Sequence, residues 1–143
     1  MKFLKTTLLL LFALFASNAL KAQESYTYNG TWSPSSPVGV STSIDEIEIE
    51  SGVVNIDANT ICASFTVNEG ATVFLRSGYT LTAGVVELYS TSTQFASLIS
   101  YGTIVGVVNY YRHTSQIAPI GTNDLIASPL SGQLFPAFAT ANS

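Results

Sequence analysis

Short β-like runs cut by glycine constrain the fold of this chain more than any other feature. Between Ile44 and Arg112, β-branched and aromatic residues often alternate with polar ones, and helical periodicity is absent there. The sequence therefore predicts an all-β domain. We predict strands at residues 46–50, 53–56, 64–67, 72–75, 79–82, 85–89, 96–99 and 105–111.

Turns that place glycine after one or two small or polar residues separate many of these runs. We predict them at residues 50–52, 68–71, 76–78 and 82–84, because glycine allows a positive φ or a tight bend at little steric cost. Strands that start about every 8–10 residues suit either a sandwich or a solenoid. The short strands and repeated corners favour a short right-handed parallel β-helix, and an antiparallel β-sandwich is the alternative.

The amino terminus has the three-part pattern of a secretory signal peptide. Lys2 and Lys5 precede the apolar run 8–16, and more polar residues follow up to Ala22. A membrane anchor needs about 20 apolar residues, roughly twice this run. We predict a helical signal peptide at residues 1–22, no stable membrane span after its cleavage, and a secreted or cell-surface location.

Removal of this segment makes the chain strongly acidic. Three of the five basic residues lie in it, so only Arg76 and Arg112 remain to balance nine carboxylates. The net charge becomes −7. A surface with so little positive charge cannot neutralise a row of phosphates. We therefore exclude nucleic acid as a partner.

The single cysteine leaves the chain without an internal disulfide. Cys62 lies in the apolar run 60–67, where an unpaired cysteine behaves as a small buried hydrophobe. No His, Lys or Arg is near it in sequence to lower its pKa. We predict that Cys62 is buried rather than reactive.

An aromatic, turn-rich segment at residues 23–42 precedes the β-rich part. It holds Tyr26, Tyr28 and Trp32, the one tryptophan, with a turn signal at Asn29-Gly30. These rings can stack on carbohydrate, but more often such a cluster covers the open end of a β core. We favour the second interpretation and predict an N-terminal cap.

The residue composition changes again at residue 113. We predict that residues 43–112 form the β-helical repeat domain. Residues 113–143 contain prolines, few charges and an apolar ending. We interpret them as the start of an incomplete second module and expect downstream modules of a longer chain.

Four segments carry a resemblance to a known family. They are residues 29–34 (NGTWSP), 45–52 (DEIEIESG), 62–73 (CASFTVNEGATV) and 77–82 (SGYTLT). They resemble the repetitive secreted surface proteins of flavobacteria and their relatives, many of them type IX secretion cargo associated with adhesion or gliding. The resemblance implies successive coils of a parallel β-helix in which Cys62 points inward, and an adhesin-like role.

Two acidic segments are candidates for metal sites. Carboxylates alternate with isoleucines at residues 46–50 (EIEIE), so a strand there places three carboxylates on one face. They can hold Ca²⁺, but we favour a solvated face that discourages edge pairing. Asp57 and Asn59 match only the first ligand positions of a calcium loop. We assign no metal, cofactor-binding or catalytic residue.

An enzyme is the alternative function. Parallel β-helices also host polysaccharide lyases and glycosidases, for which the carboxylates, Arg76, Arg112 or the single histidine, His113, would have to serve. No Gly-x-Ser-x-Gly turn is present for nucleophilic catalysis. We predict a non-enzymatic, adhesin-like spacer that contacts polysaccharide or cell-surface components, with a carbohydrate-active β-helix as the alternative.

Overall fold

The computed structural model describes residues 22–113 and Pro136. Residues 1–21 of the predicted signal peptide and nearly all of the predicted second module lie outside the described residues. No helix long and apolar enough to span a membrane occurs in the described part. The strands there are β1 (Ser25–Asn29), β2 (Trp32–Ser33), β3 (Glu46–Ser51), β4 (Val53–Ile56), β5 (Thr60–Val67), β6 (Thr72–Leu75), β7 (Thr80–Leu88), β8 (Ser97–Ser100) and β9 (Thr103–Tyr110).

These strands form two sheets that the chain visits in turn. One sheet has six strands in the order β2-β1-β3-β5-β7-β9, and the other has three in the order β4-β6-β8. All neighbouring strands are parallel except β1 and β2. The chain is thus a β-solenoid of about four turns, as predicted, and the antiparallel sandwich is excluded. The right-handed sense of the coils stays a prediction.

Stacked apolar rows fill the space between the sheets. Side chains alternate in direction along a strand, so every second residue points inward. Equivalent inward positions of successive coils lie next to each other and form a row. The central members are fully buried, and Ile49, Phe65 and Val86 are each 0% exposed. The rows are Tyr26, Ile47, Phe65, Val86 and Val108; Tyr28, Ile49, Val67, Leu88 and Tyr110; and, on the other sheet, Val54, Val73 and Leu98.

Three of the four predicted glycine turns are confirmed. Gly52, Gly70 and Gly78 have positive φ at corners between strands. The turn predicted at residues 82–84 is wrong, because the two runs on either side of it form the single strand β7. A Cβ at Gly84 would lie 2.6 Å from the carbonyl oxygen of Ala63. The glycine allows β5 and β7 to approach closely and does not form a corner.

The predicted cap segment is joined to the stack by β1. The Asn29-Gly30 turn links β1 to the short antiparallel strand β2, and β1 pairs in parallel with β3. Further along, Pro37 is fully buried and Val38 packs against the core. These contacts attach the segment to the apolar interior of the stack.

The opposite end of the stack is less covered by the described residues. Within residues 22–113, β9 is the last strand of its sheet. Its core residues Ile104, Val108 and Tyr110 are partly buried, whereas Val86 in the preceding coil is completely buried. The apolar interior therefore continues up to β9.

Candidate functional site

One corner of the solenoid is longer than the equivalent corners of the other coils. The connection between the two sheets is Gly52 alone after β3, residues 68–71 after β5, and residues 89–96 after β7. A solenoid otherwise repeats its corners, and loops held on a rigid scaffold often carry binding residues. We call residues 89–96 the corner hairpin.

Backbone hydrogen bonds give the corner hairpin a defined shape. Ser90 and Phe95 form an antiparallel bridge, and the N–H of Ala96 donates to the Tyr89 carbonyl at 2.8 Å. At the tip, the N–H of Thr91 donates to the Gln94 carbonyl at 2.7 Å. The N–H of Gly70 donates to the Phe95 carbonyl at 3.2 Å, which ties the hairpin to the preceding corner.

A stacked tyrosine pair supports the base of the hairpin. Tyr89 and Tyr111 follow β7 and β9 at equivalent positions, and their rings stack at 4.9 Å with an interplanar angle of 7°. Both hydroxyls donate to Glu87, at 2.9 Å from Tyr89 and 3.4 Å from Tyr111. The bond to Glu87, burial and the negative charge of that carboxylate raise the pKa of Tyr89 above its ordinary value.

Ser90 connects the hairpin to the segment after β9. Its hydroxyl donates to the Tyr111 carbonyl at 2.6 Å and accepts a bond from the backbone N–H of His113 at 2.8 Å. These two bonds hold Arg112 and His113 beside the hairpin. Two sequence neighbours that were weak catalytic candidates thus lie next to residues 90–95, which are distant from them in the sequence.

A cavity of about 320 Å³ lies between these two segments. Residues 90–95 of the hairpin line it, together with Tyr110, Arg112 and His113. The lining offers hydroxyl groups, the Gln94 amide, two aromatic rings and a guanidinium, and the described residues add no carboxylate to it. A site of this composition can bind a polar, negatively charged ligand.

The aromatic residues of the predicted cluster pack on the apolar core. Tyr26 is buried, and its hydroxyl donates to Glu24 at 2.8 Å. Tyr28 and Trp32 are half-buried, and their rings meet edge to face at 5.0 Å. All three pack on the apolar interior, and their role as a cover for the open end of the core stays a prediction.

The acidic face of β3 has the predicted alternation. Ile47 and Ile49 point into the core, and the carboxylates point outward. Glu48 accepts a bond from the Asn68 amide at 2.8 Å, and Glu50 accepts one from the Asn29 amide at 3.0 Å. Among residues 22–113 and Pro136, no group of three or more His, Cys, Asp and Glu could hold a metal ion.

The Asp57-Ala58-Asn59 segment forms the corner between β4 and β5. The Asn59 side chain accepts a bond from the Thr80 N–H at 2.9 Å, which links this corner to the next coil. Asn59 therefore has a structural role in this corner.

The remaining arginine lies at a different corner. Arg76 follows β6, where its guanidinium lies over the Phe74 ring at 5.2 Å and donates to the Asn55 side chain. The structure thus places Arg76 apart from the lining of the cavity, which contains Arg112.

Cys62 is buried as predicted, with 3% of its surface exposed. Burial and the negative charge of Asp45 raise the pKa of its thiol to about 12. Asp45 itself was overlooked as a structural residue, because in the sequence it reads as the start of the acidic run. It is 4% exposed and accepts bonds from the N–H groups of Glu24 and Thr42, at 2.9 and 2.7 Å.

Comparison with known protein families, curated proteins and solved structures finds no significant match. The resemblance to flavobacterial surface proteins and type IX secretion cargo therefore stays a prediction. Function has to be argued from the geometry of the stack and of the corner hairpin.

Proposed function

We propose that this chain is a non-enzymatic, adhesin-like segment of a secreted or cell-surface protein, which acts as a spacer and contacts surface glycans. The observation that carries the proposal is the coil stack. Each coil of a solenoid contacts only its neighbours, so length is gained by adding coils without redesigning the core. Such a stack suits a stalk that holds contact residues away from a cell.

β9 lies at the edge of its sheet in the described part of the chain. An uncovered edge strand invites unwanted pairing, and natural proteins usually cover or charge such edges. β9 carries no charged residue, and Val105 and Val107 on it are 49% and 60% exposed. In the proposal, downstream modules of the same polypeptide cover this edge.

The composition of the cavity supports binding rather than hydrolysis. A glycosidase needs two carboxyl groups about 5–10 Å apart on either side of the sugar bond. The described lining of the cavity contains none, and Glu87, next to the hairpin, accepts bonds from the hydroxyls of Tyr89 and Tyr111.

Export is supported by the signal-peptide pattern of residues 1–22.

The location is tested by fractionating the producing organism. An antibody against residues 44–112 is used on immunoblots of cytoplasm, periplasm, outer surface and medium, with a cytoplasmic enzyme as the lysis control. We expect the protein on the surface or in the medium. A band confined to the cytoplasmic fraction would contradict the proposal.

The non-enzymatic role is tested with the purified chain on a panel of neutral and acidic polysaccharides. We expect no increase in reducing ends and no absorbance from unsaturated lyase products after prolonged incubation. Release of sugars that disappears when Arg112 or a single carboxylate is replaced would establish the carbohydrate-active alternative.

A further inference from the structure

The cavity at the corner hairpin contains one of the two arginines that follow residue 22. Beyond residue 22 the sequence has two arginines and one histidine against nine carboxylates. Arg112 and His113 both line the cavity. A ligand with a negative charge can therefore pair with the Arg112 guanidinium at this corner.

The other lining groups suit a sugar. Phe95 is 63% exposed and offers an aromatic face to the apolar side of a pyranose ring, while Tyr110 adds a second ring. The hydroxyls of Ser92 and Thr93 and the amide of Gln94 can exchange hydrogen bonds with sugar hydroxyls. An inorganic anion would leave the aromatic groups without a role.

We infer that this cavity binds a carboxylate-bearing sugar unit, such as a uronate, of an acidic polysaccharide. The Arg112 guanidinium receives the carboxylate, since its planar fork can donate two parallel N–H bonds to one carboxyl group. Phe95 stacks on the ring, and the polar tip of the hairpin contacts the hydroxyls. The inference rests on the proposed role in glycan contact and names the ligand class.

The size and anchoring of the cavity limit the ligand to a short unit. A volume of about 320 Å³ is at the lower end of ligand pockets, which span about 300–1,000 Å³. The two hydrogen bonds of Ser90 hold the walls in place before binding, which lowers the entropic cost of binding. We therefore expect recognition of one or two sugar units.

The test is isothermal titration calorimetry of the purified full chain, which measures the Kd of a uronic acid trisaccharide and of the neutral trisaccharide of the same linkage. We expect the acidic ligand to bind at least tenfold more tightly. Arg112→Gln should weaken its binding at least tenfold, and Phe95→Ala should weaken binding of both ligands. Both side chains are exposed, so the melting temperature of each variant should remain unchanged.

Arg76→Gln is the matched control. It removes the same charge from another exposed position, where the guanidinium contacts Asn55 and Phe74. Wild-type affinity in this variant and loss in Arg112→Gln support the site. Equal losses in both variants, equal affinity for the two trisaccharides, or no binding at millimolar concentration would overturn it.

Failure of this test and failure of the proposed function are distinguishable. A surface-located chain that binds no uronate would still be a spacer, so only the ligand assignment would fall. Cleavage of the trisaccharide during the titration would instead contradict the non-enzymatic role.

Discussion

Single residues in this chain are placed by one rule, the alternation of inward and outward side chains along each strand. Ile47 and Ile49 point inward, and the glutamates between and beside them point outward. Of the buried polar residues, Asp45 and Thr60 have local hydrogen-bond partners, whereas the Ser41 hydroxyl has none among the described residues. Asp45 is the clearest case, because backbone N–H groups surround its carboxylate.

The Cys62 thiol should be unreactive in the folded chain. Its pKa is raised to about 12 by burial and by Asp45, from 9.0 in an unfolded reference, and the reactive species is the thiolate. We expect a disulfide reagent at pH 8 to label the native protein far more slowly than the urea-unfolded protein. Rapid labelling of the native form would contradict burial.

The same pKa shift predicts how stability depends on pH. Because the pKa of Cys62 is higher in the folded chain, folding disfavours the thiolate. The contribution of the neutral thiol to the free energy of unfolding is therefore intact below about pH 9 and declines as the pH rises towards 12. Urea denaturation at pH 8, 9.5 and 11 measures the decline. Cys62→Ala, measured in parallel, should decline less steeply, and identical slopes would refute the assignment.

Replacement of Asp45 should weaken the amino-terminal end of the stack. Asp45→Ala leaves the N–H groups of Glu24 and Thr42 without their acceptor. We expect a loss of about 1–3 kcal/mol in the free energy of unfolding. Asp57→Ala, at an exposed corner, is the control and should change it by less than about 0.5 kcal/mol. Equal effects would contradict the role of Asp45.

Whole strands depend on a few positions where backbones approach closely. In β9, Gly106 has a φ of +133°, and a Cβ there would lie 1.8 Å from the carbonyl oxygen of Ala83. The register of β9 against β7 shifts between Thr82 and Val85, next to this contact. An irregular pairing of this kind admits only glycine.

Gly106→Ala should therefore destabilise the protein more than a glycine replacement at an open corner. Gly78 also has a positive φ, +86°, but a Cβ added there would meet no atom within 4 Å. We expect Gly78→Ala to lower the free energy of unfolding by about 1–2 kcal/mol from backbone strain alone. Gly106→Ala should cost about 1–3 kcal/mol more from overpacking. Chemical denaturation measures both, and equal costs would contradict the close approach.

Local pattern explains which elements could be predicted from the sequence. The runs at residues 46–50, 53–56 and 72–75 match β3, β4 and β6 closely. In these runs the β-like residue pattern marks the strand, and the corner residues that follow mark its end. The run 79–89 was divided wrongly at Gly84, since a glycine that admits a neighbouring strand looks the same in sequence as one that forms a turn.

The candidate site could be predicted only in part. Arg112 and His113 were considered as basic residues in the sequence, but their proximity to residues 90–95 depends on how the coils stack. The local sequence does not contain that information. The one available signal was the polar run between the strands predicted at 85–89 and 96–99. It indicated a longer loop but no partner for it.

The whole molecule is organised by the repeat length of its coils. Polar side chains link neighbouring coils across sequence separations close to this repeat, as in the bonds of Asn68 to Glu48 and of Thr80 to Asn59, 20 and 21 residues apart. Each coil is therefore joined to the next by backbone pairing, by apolar rows and by these side-chain bonds. This regular stack is the scaffold from which the corner hairpin projects.

Surface display of this stack is tested most directly by labelling a single introduced thiol on intact cells. Val53 lies on β4 and is 54% exposed, whereas Cys62, the one natural cysteine, is buried. The producing organism is made to express either the wild-type chain or Val53→Cys, and both are treated with a membrane-impermeant maleimide. We expect Val53→Cys to be labelled on intact cells or in their medium and the wild type to stay unlabelled, with Cys62 labelled only after denaturation. Labelling of Val53→Cys only after lysis would contradict the proposed surface location.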